Sequence, residues 1–115
     1  MLIIRKEQQK VLSQYMRDRF EKQLCSHLRS AFSQLWADKR DEEVLAFVRN
    51  GIKKAFEYDI RTEYAVRKFV SLMCADTPDF DRQPWVKDIL SQSKLSARHR
   101  MDRIYERMGN TLQSG

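Results

Sequence analysis

Three observations predict an all-α domain, a compact bundle of four to five helices with a long amino-terminal helix. Apolar residues recur at spacings of three and four along almost the whole chain. Only three Gly and two Pro occur in 115 residues, too few for a turn-rich β-sandwich. Hydrophobic residues are 42% and charged residues 33% of the chain, which suits one modest core and is too apolar for disorder. The expected organisation is a single helical domain over residues 1–109 and a frayed tail over residues 110–115.

The first helix is marked by Leu12, Met16, Phe20, Leu24, Leu28 and Phe32, which follow one another at i+4. No Gly or Pro interrupts residues 5–37, so one helix of about 30 residues, about 45 Å long, is expected there. Asp41 can cap a second helix, with Glu42 and Glu43 in the first turn and Val44, Val48, Ile52 and Phe56 along its apolar face. Gly51 lies in the middle of that helix and costs it about 1 kcal/mol, which close approach of a neighbouring helix would explain. Asp59 then suits a left-handed break. Thr62 begins a third helix through Phe69, Val70 and Met73, and residues 75–83 form a loop holding Pro78. Pro84 fits the first turn of a short fourth helix, Ser96 caps a fifth, and Gly109 is the expected stop. Phe20, Leu24, Leu28, Ile52, Phe56, Phe69, Met73, Ile104 and Tyr105 are the expected core.

The net charge is +6, with +5 in residues 1–40, balance in 41–75, −2 in 76–90 and +3 in 91–115. Such a basic balance is what nucleic-acid binders show. Here, however, acids interleave with the bases, as in Arg17-Asp18-Arg19 and Asp102-Arg103-Glu106-Arg107, the pattern of a solvated helix face. Nucleic acid is therefore not the expected partner. No apolar run approaches the roughly 18 residues of a membrane span, and the opening MLIIRKEQQK is too short a greasy stretch for a signal peptide. Two cysteines do not staple a secreted mini-protein, so a cytoplasmic location is expected.

No catalytic constellation stands out. Cys25 and His27 are two apart, so a helix points them to different faces, and no CxxC, HExxH or phosphate-binding glycine loop occurs. Neither a catalytic residue, a metal site nor a cofactor is expected, and the chain is read as a non-enzyme. Two candidate partner-binding stretches remain. The loop Asp79-Phe80-Asp81 followed by Trp85 has the acids and aromatics of a docking surface. Its bland alternative is internal, with Phe80 in the core and the aspartates capping helices or pairing with Arg98, Arg100 or Arg103. The other stretch is residues 2–20, where Ile4, Tyr15 and Met16 are apolar anchors and Arg5 can steer an acidic partner. Pairing of that helix with a second copy would give a homodimer.

The order of several short segments resembles a family of short bacterial proteins encoded beside the spike, PAAR and effector genes of type VI secretion systems. The matching pieces are Ile4-Arg5-Lys6-Glu7-Gln8, His27-Leu28-Arg29 with Phe32, and Arg49-Asn50-Gly51-Ile52 continuing to Ala55 and Tyr58. They continue with Glu63, Val66, Phe69, Leu72-Met73, Asp79-Phe80-Asp81, Pro84-Trp85, Ile89-Leu90 and Arg100-Met101-Asp102-Arg103-Ile104-Tyr105. Two positions depart from the family pattern. Asp59 stands where a Gly is usual, and Ser33 stands where a Pro is usual, which would let the first helix run on. The resemblance implies a protein partner from the same locus (an effector, a spike protein or a toxin). It implies an effector chaperone or adaptor, with an immunity protein as the alternative; a small basic DNA-binding regulator, suggested by the charge and not by the resemblance, stands behind both.

Overall fold

The computed structural model describes residues 12, 13 and 16–114. It is 75% helical, without strands among those residues. Six helices follow one another: α1 (Arg17–Ala31), α2 (Ser33–Trp36), α3 (Asp41–Glu57), α4 (Glu63–Ala75), α5 (Pro84–Leu90) and α6 (Ala97–Ser114), with a 3-10 turn at Phe80–Arg82 before α5.

The long first helix expected over residues 5–37 is not a single rod. Leu12 is buried in non-helical backbone, and its N–H donates to the carbonyl of Arg61 at 2.9 Å. The Met16 N–H then bonds Ser13 Oγ at 3.3 Å, which turns the chain into α1. At the other end Phe32 leaves helical geometry, with φ −126° and ψ 52°, and α2 begins immediately after it. The break has tertiary causes. It lets Trp36 turn inward to 7% exposure, edge-on to Phe47 with ring centroids 5.1 Å apart. Arg29 fixes the turned segment by donating to Trp36 O, Lys39 O and Asp41 Oδ1 at 3.1, 2.8 and 2.8 Å.

Local signals placed the starts of the later helices well. Asp41 opens α3 as its first residue, one step inside the helix from the expected cap, and the Glu43 carboxylate accepts the Arg40 N–H at 2.9 Å. Thr62 Oγ1 accepts the Ala65 N–H and Ser96 Oγ accepts the His99 N–H, so both serve as caps. Pro84 is the first residue of α5, and Asp59 takes φ 60°. Gly109 does not stop α6, which continues through it to Ser114 with no positive φ at any described glycine.

The core lies where α4 is packed by α3, α1 and α6. Phe69, Val70, Val66 and Met73 of α4 are buried with Val44, Val48 and Ile52 of α3, Leu24 and Leu28 of α1, and Met101 and Ile104 of α6. At Gly51 the α3–α4 approach is close: a Cβ there would stand 2.8 Å from Val70 Cγ2 and 3.1 Å from Met73 Sδ. Of the expected core, Phe56 and Tyr105 are only half-buried. Phe56 lies beneath the guanidinium groups of Arg61 and Arg17, 4.8 and 5.6 Å from its ring centre. Among the described residues, no helix is long and apolar enough to cross a membrane.

Candidate functional site

Ile4, Arg5 and Tyr15 lie outside the described residues. Met16 is half-buried at the head of α1, bonded through its backbone to Ser13 and Phe20. Leu12 and Phe20, from the same stretch, are turned into the core at 5% and 2% exposure.

The loop expected to dock a partner is built inward. Phe80 is fully buried, edge-on to Phe69 with centroids 4.9 Å apart. Asp81 is also buried, and its partner is Lys54 rather than any arginine of α6. Lys54 Nζ stands 2.9 Å from Asp81 Oδ1, while the Tyr58 hydroxyl donates to Oδ2 at 2.8 Å. Burial pushes the Asp81 carboxyl up, yet the bonds from Lys54 and Tyr58 outweigh it and hold the group below the usual range. Burial and the adjoining carboxylate push the Tyr58 phenol up to about 12. Lys54 also donates to Pro78 O at 2.6 Å, so one ammonium ties α3 to the loop at two points. Of the four loop candidates, Asp79 is exposed, 3.7 Å from Lys54 Nζ. Trp85 is half-buried with the guanidinium of Arg107 4.5 Å above its ring. Phe80 and Asp81 are therefore turned into the fold and partnered within the chain, as the internal alternative for this loop has it.

A different surface has the features of a binding site. Along α4, Tyr64, Arg67, Lys68, Ser71 and Ala75 repeat at helical spacing on the face opposite Val66, Phe69, Val70 and Met73. With His27 of α1, Phe32 at the helix break and Tyr105 of α6, they line an open cleft of about 390 Å³. Its polar ring substituents are satisfied within the chain. The Tyr64 hydroxyl donates to Asp102 Oδ1 at 3.0 Å, and the Tyr105 hydroxyl donates to Lys68 O at 2.8 Å. Burial, helped by the neighbouring Tyr64, pushes the Tyr105 phenol up to about 12, so the ring stays neutral. Lys68 Nζ is 4.3 Å from the Tyr105 ring centre and 5.2 Å from that of Tyr64. Arg67 lies 6.0 Å from the centre of Phe20. Among the described residues, neither Arg67 nor Lys68 has a carboxylate partner.

The sequence carried a signal for this cleft: α4 has two useful faces, and the second reads Tyr64, Lys68, Ser71, Ala75 at i, i+4, i+7 and i+11. The missing part is Phe32, which reaches the cleft only because α1 breaks there.

No set of three or more His, Cys, Asp or Glu side chains is gathered for a metal ion among the described residues. Burial pushes the thiols of both Cys25 and Cys74 up, against the thiolate that nucleophilic work needs. Compared with known protein families, curated proteins and solved structures, the chain matches none of them.

Proposed function

We propose that the chain is a non-enzymatic protein-binding module that serves as an effector chaperone or adaptor of a type VI secretion locus. The observation that carries the protein-binding part is the α1–α4–α6 cleft. Its lining is largely apolar and aromatic, its tyrosine hydroxyls are already bonded within the chain, and its volume lies at the low end of the roughly 300–1,000 Å³ usual for ligand sites. That size accepts one or two side chains of another protein. The pre-bonded rings lose little freedom on contact, which favours association. The secretion setting is supported by the ordered segments from Ile4-Arg5 to Ile104-Tyr105 alone.

Co-expression with the products of the flanking genes tests this reading. A tag on this chain should retain an effector together with a spike protein, identified by mass. Retention of a lone toxin whose killing is neutralised would replace the adaptor with an immunity protein. Nucleic acid that washes off with salt, and no protein, would overturn the reading.

A further inference from the structure

We propose that the α1–α4–α6 cleft binds an acidic peptide segment of the protein partner. One aromatic or aliphatic side chain enters between Phe32, Tyr64 and Tyr105, and a flanking carboxylate meets Lys68 and Arg67. The inference rests on the partner-binding function and adds the chemistry of what is bound.

Charge complementarity carries the choice of occupant. The cleft is lined by Arg67, Lys68 and His27 and by no acidic residue. The acid nearest its tyrosines, Asp102, is engaged by the Tyr64 hydroxyl at 3.0 Å and stands 3.7 Å from Arg98. Lys68 rests on two aromatic faces instead of a carboxylate, an arrangement that leaves its charge uncompensated while holding the ammonium at the cleft. A cation fixed beside an apolar recess is matched by an apolar side chain with an adjacent anion. Burying the apolar group excludes water from the ion pair and strengthens it. Several other basic groups, in contrast, are matched by carboxylates, as in Arg17 and Arg49 on Glu21 or Arg61 on Asp59.

The probe is a pool of short fluorescent peptides with Phe, Tyr, Leu or Met at the centre and Asp or Glu around it. A control pool has Lys in place of the acids. The acidic pool should raise the anisotropy of binding and the control pool should not, with affinity falling as salt is added. Lys68→Glu should weaken binding about tenfold or more. Ala75→Trp, at an exposed position on the cleft wall, should block it by filling the recess. Both variants should keep the wild-type circular dichroism and melting temperature.

The proposal is overturned if the acidic pool does not bind, or if it binds both variants as it binds the parent chain. It is equally overturned if a DNA duplex, and not the peptides, shows the dependence on Lys68. A flanking-gene partner retained equally by both variants would sink the cleft while leaving the partner-binding function standing. Failure to retain any protein would sink that function itself.

Discussion

The guanidinium of Arg100 donates through Nη1 to the carbonyl oxygen of Tyr58 at 2.9 Å, across 42 residues of sequence. The same nitrogen reaches Leu90 O at 2.9 Å, and Nε reaches Leu95 O at 3.1 Å. Tyr58 and Ser91 close α3 and α5, so a cation only 4% exposed sits where the carbonyl ends of two helices converge. Burial lowers the affinity of the guanidinium for its proton, and the charge of Asp59 opposes that. Carbonyl groups at the two helix ends, not a bonded carboxylate, take the place of water here.

Replacing that side chain strands the acceptors. Arg100→Leu fills part of the volume but leaves the carbonyls of Tyr58 and Leu90 without this donor. Each unsatisfied buried group costs about 1–3 kcal/mol, so a loss of at least about 2 kcal/mol is expected in urea unfolding. Unchanged stability would show that water replaces the guanidinium without cost.

Two glycines in helices give opposite expectations. At Gly51 an Ala methyl would press on Val70 Cγ2 at 2.8 Å, where α3 and α4 approach. Overpacking costs about 1–3 kcal/mol, more than the roughly 1 kcal/mol of helix propensity that Ala recovers. Gly51→Ala should therefore lower the melting temperature. Gly109 has nothing within 4 Å of its Cβ position, so Gly109→Ala should raise stability by up to about 1 kcal/mol. The same sign at both sites would contradict the packing of α3 on α4.

The core of α4 supplies a third test. Phe69 is fully buried between Tyr58 and Phe80, with centroids 6.1 and 4.9 Å away. Phe69→Ala should cost about 3–5 kcal/mol of unfolding free energy. A loss under about 1 kcal/mol would place the ring outside the core.

Acid should attack the Lys54–Asp81 pair. The folded Asp81 carboxyl lies below its ordinary value of 3.8, because the Lys54 and Tyr58 bonds outweigh burial. Its contribution is therefore present above that ordinary value and is lost as pH falls through the folded one. Lys54→Met leaves the carboxylate buried with the Tyr58 hydroxyl alone, so the acid unfolding midpoint should move to higher pH. A midpoint that stays in place would mean the ammonium contributes nothing to the ionised state.

Alkali should act through the two raised phenols. Tyr58 and Tyr105 are each held up to about 12, from an ordinary value of 10. Keeping the neutral form contributes stability below pH 10, and that contribution is lost as pH rises through 12. Part of the tyrosinate absorbance should therefore rise in a late step near pH 12, from these two half-buried phenols. Tyr58→Phe or Tyr105→Phe should each remove part of the late step, and a late step unchanged in both would refute the assignment.

Residues whose partners are near in sequence announced their roles. Thr62, Pro84 and Ser96 mark helix starts because a cap or a fixed φ acts within one turn. Asp59 could be read as left-handed and Gly51 as a close approach for the same reason: each breaks a local rule that needs a cause. The apolar periodicity determined the all-α class, since spacings of three and four bury one face of a helix and of nothing else.

Tertiary structure alone decided the rest. Nothing local ends a helix at Phe32, and beside Leu12 the local signal is a single Ser13 hydroxyl accepting the Met16 N–H. The breaks follow from Trp36 turning onto Phe47 and from the Leu12 N–H meeting the Arg61 carbonyl. Charges behaved likewise. Asp81 found Lys54, 27 positions earlier, and Arg100 found two helix ends, because the pairing of a buried charge is chosen by which acceptors the packed helices bring within reach. The cleft belongs to the same class: α4 carries its stripe in sequence, but Phe32 and Tyr105 join it only once three helices have packed. Short-range hydrogen bonds and periodicity are properties of a segment, whereas burial and charge pairing are properties of the assembled core.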